Sequence, residues 1–259
     1  MNIGTITSKE NSLIKLVSSL QKSSKTRREN GLFVIEGLRI CCDAFENGIR
    51  FDKLIFTKTA FLKYKNVIEK FFENSDAVFE IPDTLFKKIS DTSSPQGIIA
   101  LAKIPNSSSM GFNKNGRYIA LENIADPSNL GAVSRTAEAL GVDGIIISSN
   151  SCDPYSPKTL RASMGTLLRM NIIVLEDFTQ EIKSLGLKIY SAVVDKDVKS
   201  ITDINFTDGS CIVIGNEANG ISDETRNISD ELVTIKMSGK AESLNAAVAA
   251  SISMWEMMK

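Results

Sequence analysis

The chain has 259 residues, 42% of them apolar and 24% charged, with a formal net charge of −1 and no histidine. Its length suits one large or two ordinary domains with a normal core, and the missing imidazole removes the usual parts of a zinc site, a Ser-His-Asp triad and histidine acid–base chemistry. Residues 1–10 lack the basic start and apolar run of a signal peptide, and no stretch approaches the roughly 20 apolar residues of a membrane helix, so a cytoplasmic protein is expected, with no membrane partner.

Charge is uneven along the chain: residues 1–105 hold 16 Lys and Arg against 12 Asp and Glu, and the rest hold 14 against 19. The basic excess is densest at Lys9, Lys15, Lys22, Lys25, Arg27 and Arg28, which fits either a polyanion-binding face or a solvated helix face. Leu13, Leu16, Val17 and Leu20 recur at helical spacing over residues 8–23, and Lys25 to Gly31 reads as a basic connector. Strands are expected over residues 31–36, 52–57, 77–81 and 97–102, with helices over 37–47, 59–73 and 82–89 between them, an alternation that describes a small α/β domain. Residues 104–115, rich in Pro, Ser, Asn and Gly, form the best linker, with the boundary near Ser108. Domains are therefore placed at 1–107 and 116–259, joined by 108–115.

The second domain opens with a strand over 117–122 and a loop, 123–129, from which a helix runs to Leu140, capped by Asn129 or Ser128. A buried strand over 144–148 follows, then a Pro-broken loop and a helix carrying Lys158, Arg161 and Arg169. Strands over 172–175, 187–194, 211–215 and 232–237, with a helix around Glu181, imply a mainly parallel sheet covered on both faces. The last helix repeats Leu244, Val248, Ile252 and Trp255, with alanines at 246, 247, 249 and 250; it either closes its own core or docks on a partner subunit. Cys41, Cys42, Cys152 and Cys211 are few, irregularly spaced and set in apolar surroundings, as buried thiols are, and no metal site is expected.

The loop Gly215-Asn-Glu-Ala-Asn-Gly220 hangs a carboxylate, Glu217, from the end of a buried strand, where open α/β sheets place their ligands. Asn129 and Arg135 lie six residues apart, and only an Asn129 standing outside the helix as its cap lets both face one ligand. No G-x-G-x-x-G follows the first strand of this domain and no Walker loop is present, so a dinucleotide or ATP site lacks support.

Three blocks, residues 122–141, 212–220 and 235–250, together resemble the ordered motifs of the SpoU/TrmH branch of the SPOUT RNA methyltransferases. The resemblance extends through Ser156-Pro-Lys158 and Arg161-Ala-Ser-Met-Gly165. The first domain, through Asn11, Lys15, Lys25, Arg27, Arg28 and residues 33–37, resembles the substrate-binding domain often found ahead of that catalytic domain. The resemblance implies a ribosomal-protein-like α/β domain followed by a SPOUT domain with a C-terminal trefoil knot, and methyl transfer from S-adenosyl-L-methionine to a ribose 2′-hydroxyl of RNA. Ribosomal RNA is the favoured substrate; a transfer RNA enzyme and a non-catalytic RNA-binding assembly factor are the alternatives. It assigns cofactor contacts to Ile214, Gly215, Ile235, Met237, Ser243 and Leu244, and catalysis or ribose placement to Asn129, Arg135, Glu217, Ser243 and Asn245. Lys15, Lys25, Arg27 and Arg28 would contact RNA phosphates. A homodimer through the C-terminal helix is also implied.

Overall fold

The computed structural model describes residues 3–105 and 111–259, so the expected boundary at Ser108 lies outside the described residues. The chain divides into two compact units, residues 1–105 with 155–161, and residues 106–154 with 162–259.

The first unit runs β1 (Ile3–Thr5), α1 (Ser12–Lys22), α2 (Ser24–Asn30), β2 (Leu32–Glu36), α3 (Leu38–Glu46), β3 (Phe51–Thr57), α4 (Lys58–Glu73), β4 (Ser75–Ile81), α5 (Asp83–Ile89) and β5 (Ile98–Lys103). Its sheet has the order β1-β4-β3-β5-β2, with β5 antiparallel to both neighbours and the other pairs parallel. Leu13, Ile14, Val17 and Leu20 of α1 pack on Val34, Ile55, Ile99 and Leu101, so the helical spacing of these residues is the face that covers the sheet. Asn11 caps α1 by accepting from the N–H of Leu13 at 2.9 Å.

The basic connector expected after α1 is instead the helix α2, capped by Ser23, whose Oγ accepts from Thr26 N at 3.1 Å. Its buried residue is Arg27, 3% exposed, whose guanidinium donates to the carbonyl of Leu20. The last turn of a helix leaves carbonyls without intrahelical partners, and a buried cation answers that need. Arg27 thus serves the end of α1 and is not displayed to a phosphate, which corrects its assignment as an RNA contact. Lys15 and Lys25 are exposed but paired, Lys15 with Glu10 at 2.6 Å and Lys25 with Glu29 at 3.8 Å. Arg28 is exposed.

The second unit contains β6 (Arg117–Leu121), α6 (Pro127–Leu140), β7 (Gly144–Ser148), β8 (Ile172–Leu175), α8 (Phe178–Ser184), β9 (Lys188–Ala192), β10 (Ser210–Ile214), α9 (Asp223–Ile228), β11 (Glu231–Val233) and α10 (Ala246–Met258). The short helix α7 (Pro157–Ala162) precedes β8 in the chain, and all but its last residue belong to the first unit. All pairings in the sheet β11-β9-β10-β6-β7-β8 are parallel. Every residue of β7 and β10 is buried, as strands covered on both faces must be. Tyr118, Ile146, Ile189, Cys211 and Val213 pack with Phe178 and Ile182 of α8. The terminal helix α10 packs on α6, β10 and β6.

Several expectations are revised. Residues 111–115 do not run as a free linker: Tyr118 Oη accepts from Asn113 N at 2.9 Å, and the Phe112 and Tyr118 rings stack at 5.3 Å. The helix expected to carry Lys158, Arg161 and Arg169 ends at Ala162, and a single 3-10 turn, Thr166–Leu168, follows it. The strand expected to reach Met237 stops at Val233, leaving Ile235 and Met237 outside the ladder. On α10 the buried residues are Ala246, Ala247, Ala250, Ser253, Met254 and Met257, while Val248 is 46% and Trp255 57% exposed. The Val248 and Trp255 stripe therefore does not close the core of its own chain. The four cysteines are free, and burial pushes the Cys152 and Cys211 thiols up to about 12. Among the described residues no helix is long and apolar enough to cross a membrane, and no group of three or more His, Cys, Asp or Glu could hold a metal ion.

Candidate active site

At the C-terminal ends of β9 and β10 lies a cavity of about 450 Å³, within the range of small-molecule sites. Ile214, Gly215, Ile235, Met237, Ser243 and Leu244 all line it. Because β11 ends at Val233, Ile235 and Met237 are released from the sheet and join Leu244 as an apolar wall. Ala192, Val193 and Val194 add to the lining from the end of β9. Reading the sequence alone missed these three, because nothing local says that β9 lies beside β10.

The loop leaving β10 doubles back on itself, Asn216 N donating to Gly220 O and Gly220 N to Asn216 O, both at 2.9 Å. Its start requires glycine: a Cβ on Gly215 would lie 2.0 Å from Gly220 C and 2.2 Å from Ile221 N. Asn216 fixes the turn, accepting from Ala218 N and Asn219 N and donating to Asn123 O at 2.8 Å. Glu122, buried to 4% exposure, accepts from Ser222 N at 3.0 Å and ties the far end of the loop to β6. Sequence reasoning missed the ties of Asn216 to Asn123 and of Glu122 to Ser222, which join residues 93 and 100 positions apart.

A chain of side chains borders this loop. Asn129 Nδ2 donates to Glu217 Oε1 at 2.6 Å, and Asn245 Nδ2 donates to Asn129 Oδ1 at 3.0 Å. Asn245 Oδ1 in turn caps α10, accepting from Ala247 N at 2.9 Å and Val248 N at 3.3 Å. Burial alone would raise the Glu217 carboxyl, but hydrogen bonds from Asn129 and from the backbone of Glu217, Ala125 and Asp126 outweigh it and hold the group below its ordinary value. Glu217 is thus a fixed anion and a poor proton acceptor at neutral pH.

The helix α6 is capped by Asp126, which accepts from Ser128 N at 2.8 Å, and not by Asn129 or Ser128. Asn129 is the third residue inside the helix, buried to 8% exposure. Six helical steps then set Arg135 about 120° away around the axis. Arg135 is exposed, does not line the cavity, and among the described residues makes no hydrogen bond or ion pair. The structure therefore joins Asn129, Glu217 and Asn245, sets Ser243 in the cavity wall, and holds Arg135 apart from them.

A parallel α/β sheet with a ligand-sized cavity at its strand ends, edged by a Glu-Asn-Asn chain and with no metal cluster among the described residues, defines a binding site of small-molecule dimensions. Residues 116–255 match the SpoU rRNA Methylase family, and residues 11–100 match the MRM3-like substrate binding domain. The chain belongs to the SpoU rRNA methylase family. It is 26% identical over 238 residues to the 23S rRNA (guanosine(2553)-2′-O)-methyltransferase RlmP of Bacillus subtilis, covering 91% of this chain and 92% of the relative. It is also 26% identical over 243 residues to the 23S rRNA (uridine(2479)-2′-O)-methyltransferase of Streptomyces viridochromogenes, covering 90% and 84%. The crystal structure of an AdoMet-bound rRNA methyltransferase from Sinorhizobium meliloti superimposes with a TM-score of 0.84 at 26% identity, over 98% of this chain and 97% of that one.

Proposed function

We propose that this protein transfers a methyl group from S-adenosyl-L-methionine to a ribose 2′-hydroxyl of ribosomal RNA, acting in the cytoplasm as a homodimer. The observation that carries the reading is the cavity at the ends of β9 and β10 lying directly beside the Asn129, Glu217 and Asn245 chain. The cavity suits the cofactor in chemistry as well as size. Ile235, Met237 and Leu244 offer an apolar wall, and two carboxylates, Glu217 and Glu242, line it against one cation, Arg226, a balance that favours a positively charged ligand. When bound, the cofactor supplies an electrophilic methyl group on a sulfonium.

The chain's own groups supply placement. Glu217 holds Asn129 through its carboxylate, and Asn129 is held from the other side by Asn245, so the amide between them has a fixed orientation at the cavity edge. With its lowered carboxyl, Glu217 orients and does not take the hydroxyl proton. Arg135, an exposed and always protonated guanidinium set apart from the cavity of its own chain, holds the RNA phosphate, while the hydroxyl proton leaves to water. The C-terminal segment is threaded as a trefoil knot, a reading that rests on the chain's membership of the SpoU rRNA methylase family. The exposed Val248 and Trp255 stripe supports the homodimer.

Calorimetric titration with S-adenosyl-L-methionine, followed by transfer of labelled methyl groups to unmodified ribosomal RNA, tests this. Wild type should bind and transfer, Leu244→Arg should do neither, and Arg135→Ala should bind the cofactor but lose transfer. A wild type that binds no cofactor even with RNA present would leave an RNA-binding factor in place of an enzyme.

A further inference from the structure

Three of the four cations expected to meet RNA are answered within the protein: Arg27 is buried on a carbonyl, and Lys15 and Lys25 are paired with Glu10 and Glu29. Surface pairs of this kind are weak, but each acidic partner cancels the field that a phosphate would meet. Elsewhere in the first unit a cleft of about 310 Å³ opens between α4, α5 and residues 94–97, and its walls carry Lys63, Lys87, Tyr64, Thr59 and Asp83. Neither Lys63 nor Lys87 makes an ion pair among the described residues. We propose that this cleft is a nucleotide-binding subsite for the RNA substrate, with the two lysines on phosphate and the Tyr64 ring against a base; this rests on the reading of the protein as an RNA-modifying enzyme.

Three features argue for a built site. The helix α4 departs from helical geometry at Tyr64 (φ −125°, ψ 29°), and this tyrosine lines the cleft with Lys63 Nζ 5.1 Å from its ring centroid. An aromatic face beside a cation is the combination that holds an unpaired base and its backbone. The cleft is also preformed. Gly97 (φ +77°) lies so close to the start of α4 that a Cβ there would sit 2.6 Å from Oγ1 of its cap, Thr57, and 2.9 Å from Ala60 Cβ. Gln96 Oε1 accepts from Leu38 N at 2.8 Å, and the Glu36 carboxylate accepts from Asp91 N at 2.9 Å and Thr92 Oγ1 at 3.0 Å, so the loop that forms one wall is fixed at several points. The lining is mixed in a way that suits a nucleotide better than a bare phosphate. Asp83 Oδ2 accepts from Thr59 Oγ1 at 2.8 Å, and its carboxylate would repel phosphate while accepting from a ribose hydroxyl or a base N–H.

The test uses the full chain and unmodified 23S rRNA transcribed in vitro, with filter binding over a salt series and steady-state methyl transfer. Lys63→Glu with Lys87→Glu should raise Kd and KM for the RNA at least tenfold, leave cofactor affinity unchanged, and reduce the slope of log K against log salt by about 1.4, two contacts at roughly 0.7 each. Lys63→Arg with Lys87→Arg should bind as wild type, Tyr64→Phe should keep affinity, and Tyr64→Leu should lose it roughly tenfold. The same charge change placed at Lys15 and Lys25 should cost at least fivefold less. Cleft variants that keep wild-type Kd and KM, or an equal loss from the Lys15 and Lys25 pair, would overturn the subsite. A wild type that binds RNA through Lys63 and Lys87 but transfers no methyl group would sink the enzymatic reading and leave the subsite standing.

Discussion

Asn129 and Glu217 lie 88 positions apart in the sequence and 2.6 Å apart in the fold, the Asn129 amide donating to the Glu217 carboxylate. Because the carboxyl is held below its ordinary value, the pair stays intact through neutral pH. Its contribution to stability is complete above the unfolded carboxylate value of about 4.3 and is lost as pH falls through the lower folded value. The difference in Tm between wild type and Glu217→Gln should therefore be constant above about pH 5 and vanish in acid. At neutral pH, Glu217→Gln should lower kcat by ten- to a hundredfold, roughly the cost of misplacing a positioned group, and should also weaken cofactor binding, because one of the two carboxylates lining the cavity is lost. A Tm difference that grows on acidification would show that the carboxyl is not held down by this contact.

Asn245 has two tasks that substitution can separate, capping α10 and holding Asn129. Asn245→Ala should cost about 1 kcal/mol of stability through the lost cap. Asn245→Asp keeps a good cap but replaces the donor facing Asn129 Oδ1 with an acceptor, so stability should hold while methyl transfer falls. Chemical denaturation and transfer rates measured on the same two variants check this; parallel losses in both would deny the second task.

Gly215→Ala forces a methyl group into the backbone of Gly220 and Ile221. The cost should be about 1–3 kcal/mol or more, together with loss of cofactor binding, because the loop that must shift also lines the cavity. Gly111→Ala, with nothing within 4 Å of the new carbon, is the matched control and should leave both unchanged. Thermal unfolding and calorimetry read the two effects.

The exposed part of Trp255 predicts the oligomeric state. Covering on the order of 100 Å² of its apolar surface in a second copy would contribute about 2.5 kcal/mol per protomer. Trp255→Lys with Val248→Glu should shift sedimentation from dimer toward monomer while each protomer keeps its fold. A wild type that sediments as a monomer at all concentrations would remove the homodimer from the proposal.

The sequence by itself determined much of the local structure and the limits on chemistry. Apolar runs such as Gly144–Ser148 and Ile172–Leu175 are strands in the fold, α1 buries the face that its spacing marks out, and the absence of histidine holds whatever the tertiary structure. The glycine-bounded loop 215–220 was legible as a turn at the end of a buried strand, where open α/β sheets place their clefts, and it does line the cavity. Elements without an apolar period were not legible: β1 has three residues, α2 reads Ser-Lys-Thr-Arg-Arg-Glu-Asn, and α9 reads Asp-Glu-Thr-Arg-Asn-Ile. Which of the two readings of the α10 stripe holds was not legible, because small or apolar residues surround most of that helix, so periodicity does not say which side the sheet will cover. Only the tertiary structure decided that β9 lies beside β10, that Asn129 sits inside its helix and meets Glu217 and Asn245, and that Arg27 is an internal brace. These depend on which distant segments pair, and the free energy of that pairing lies in shared burial across the sheet, not in any window of the chain.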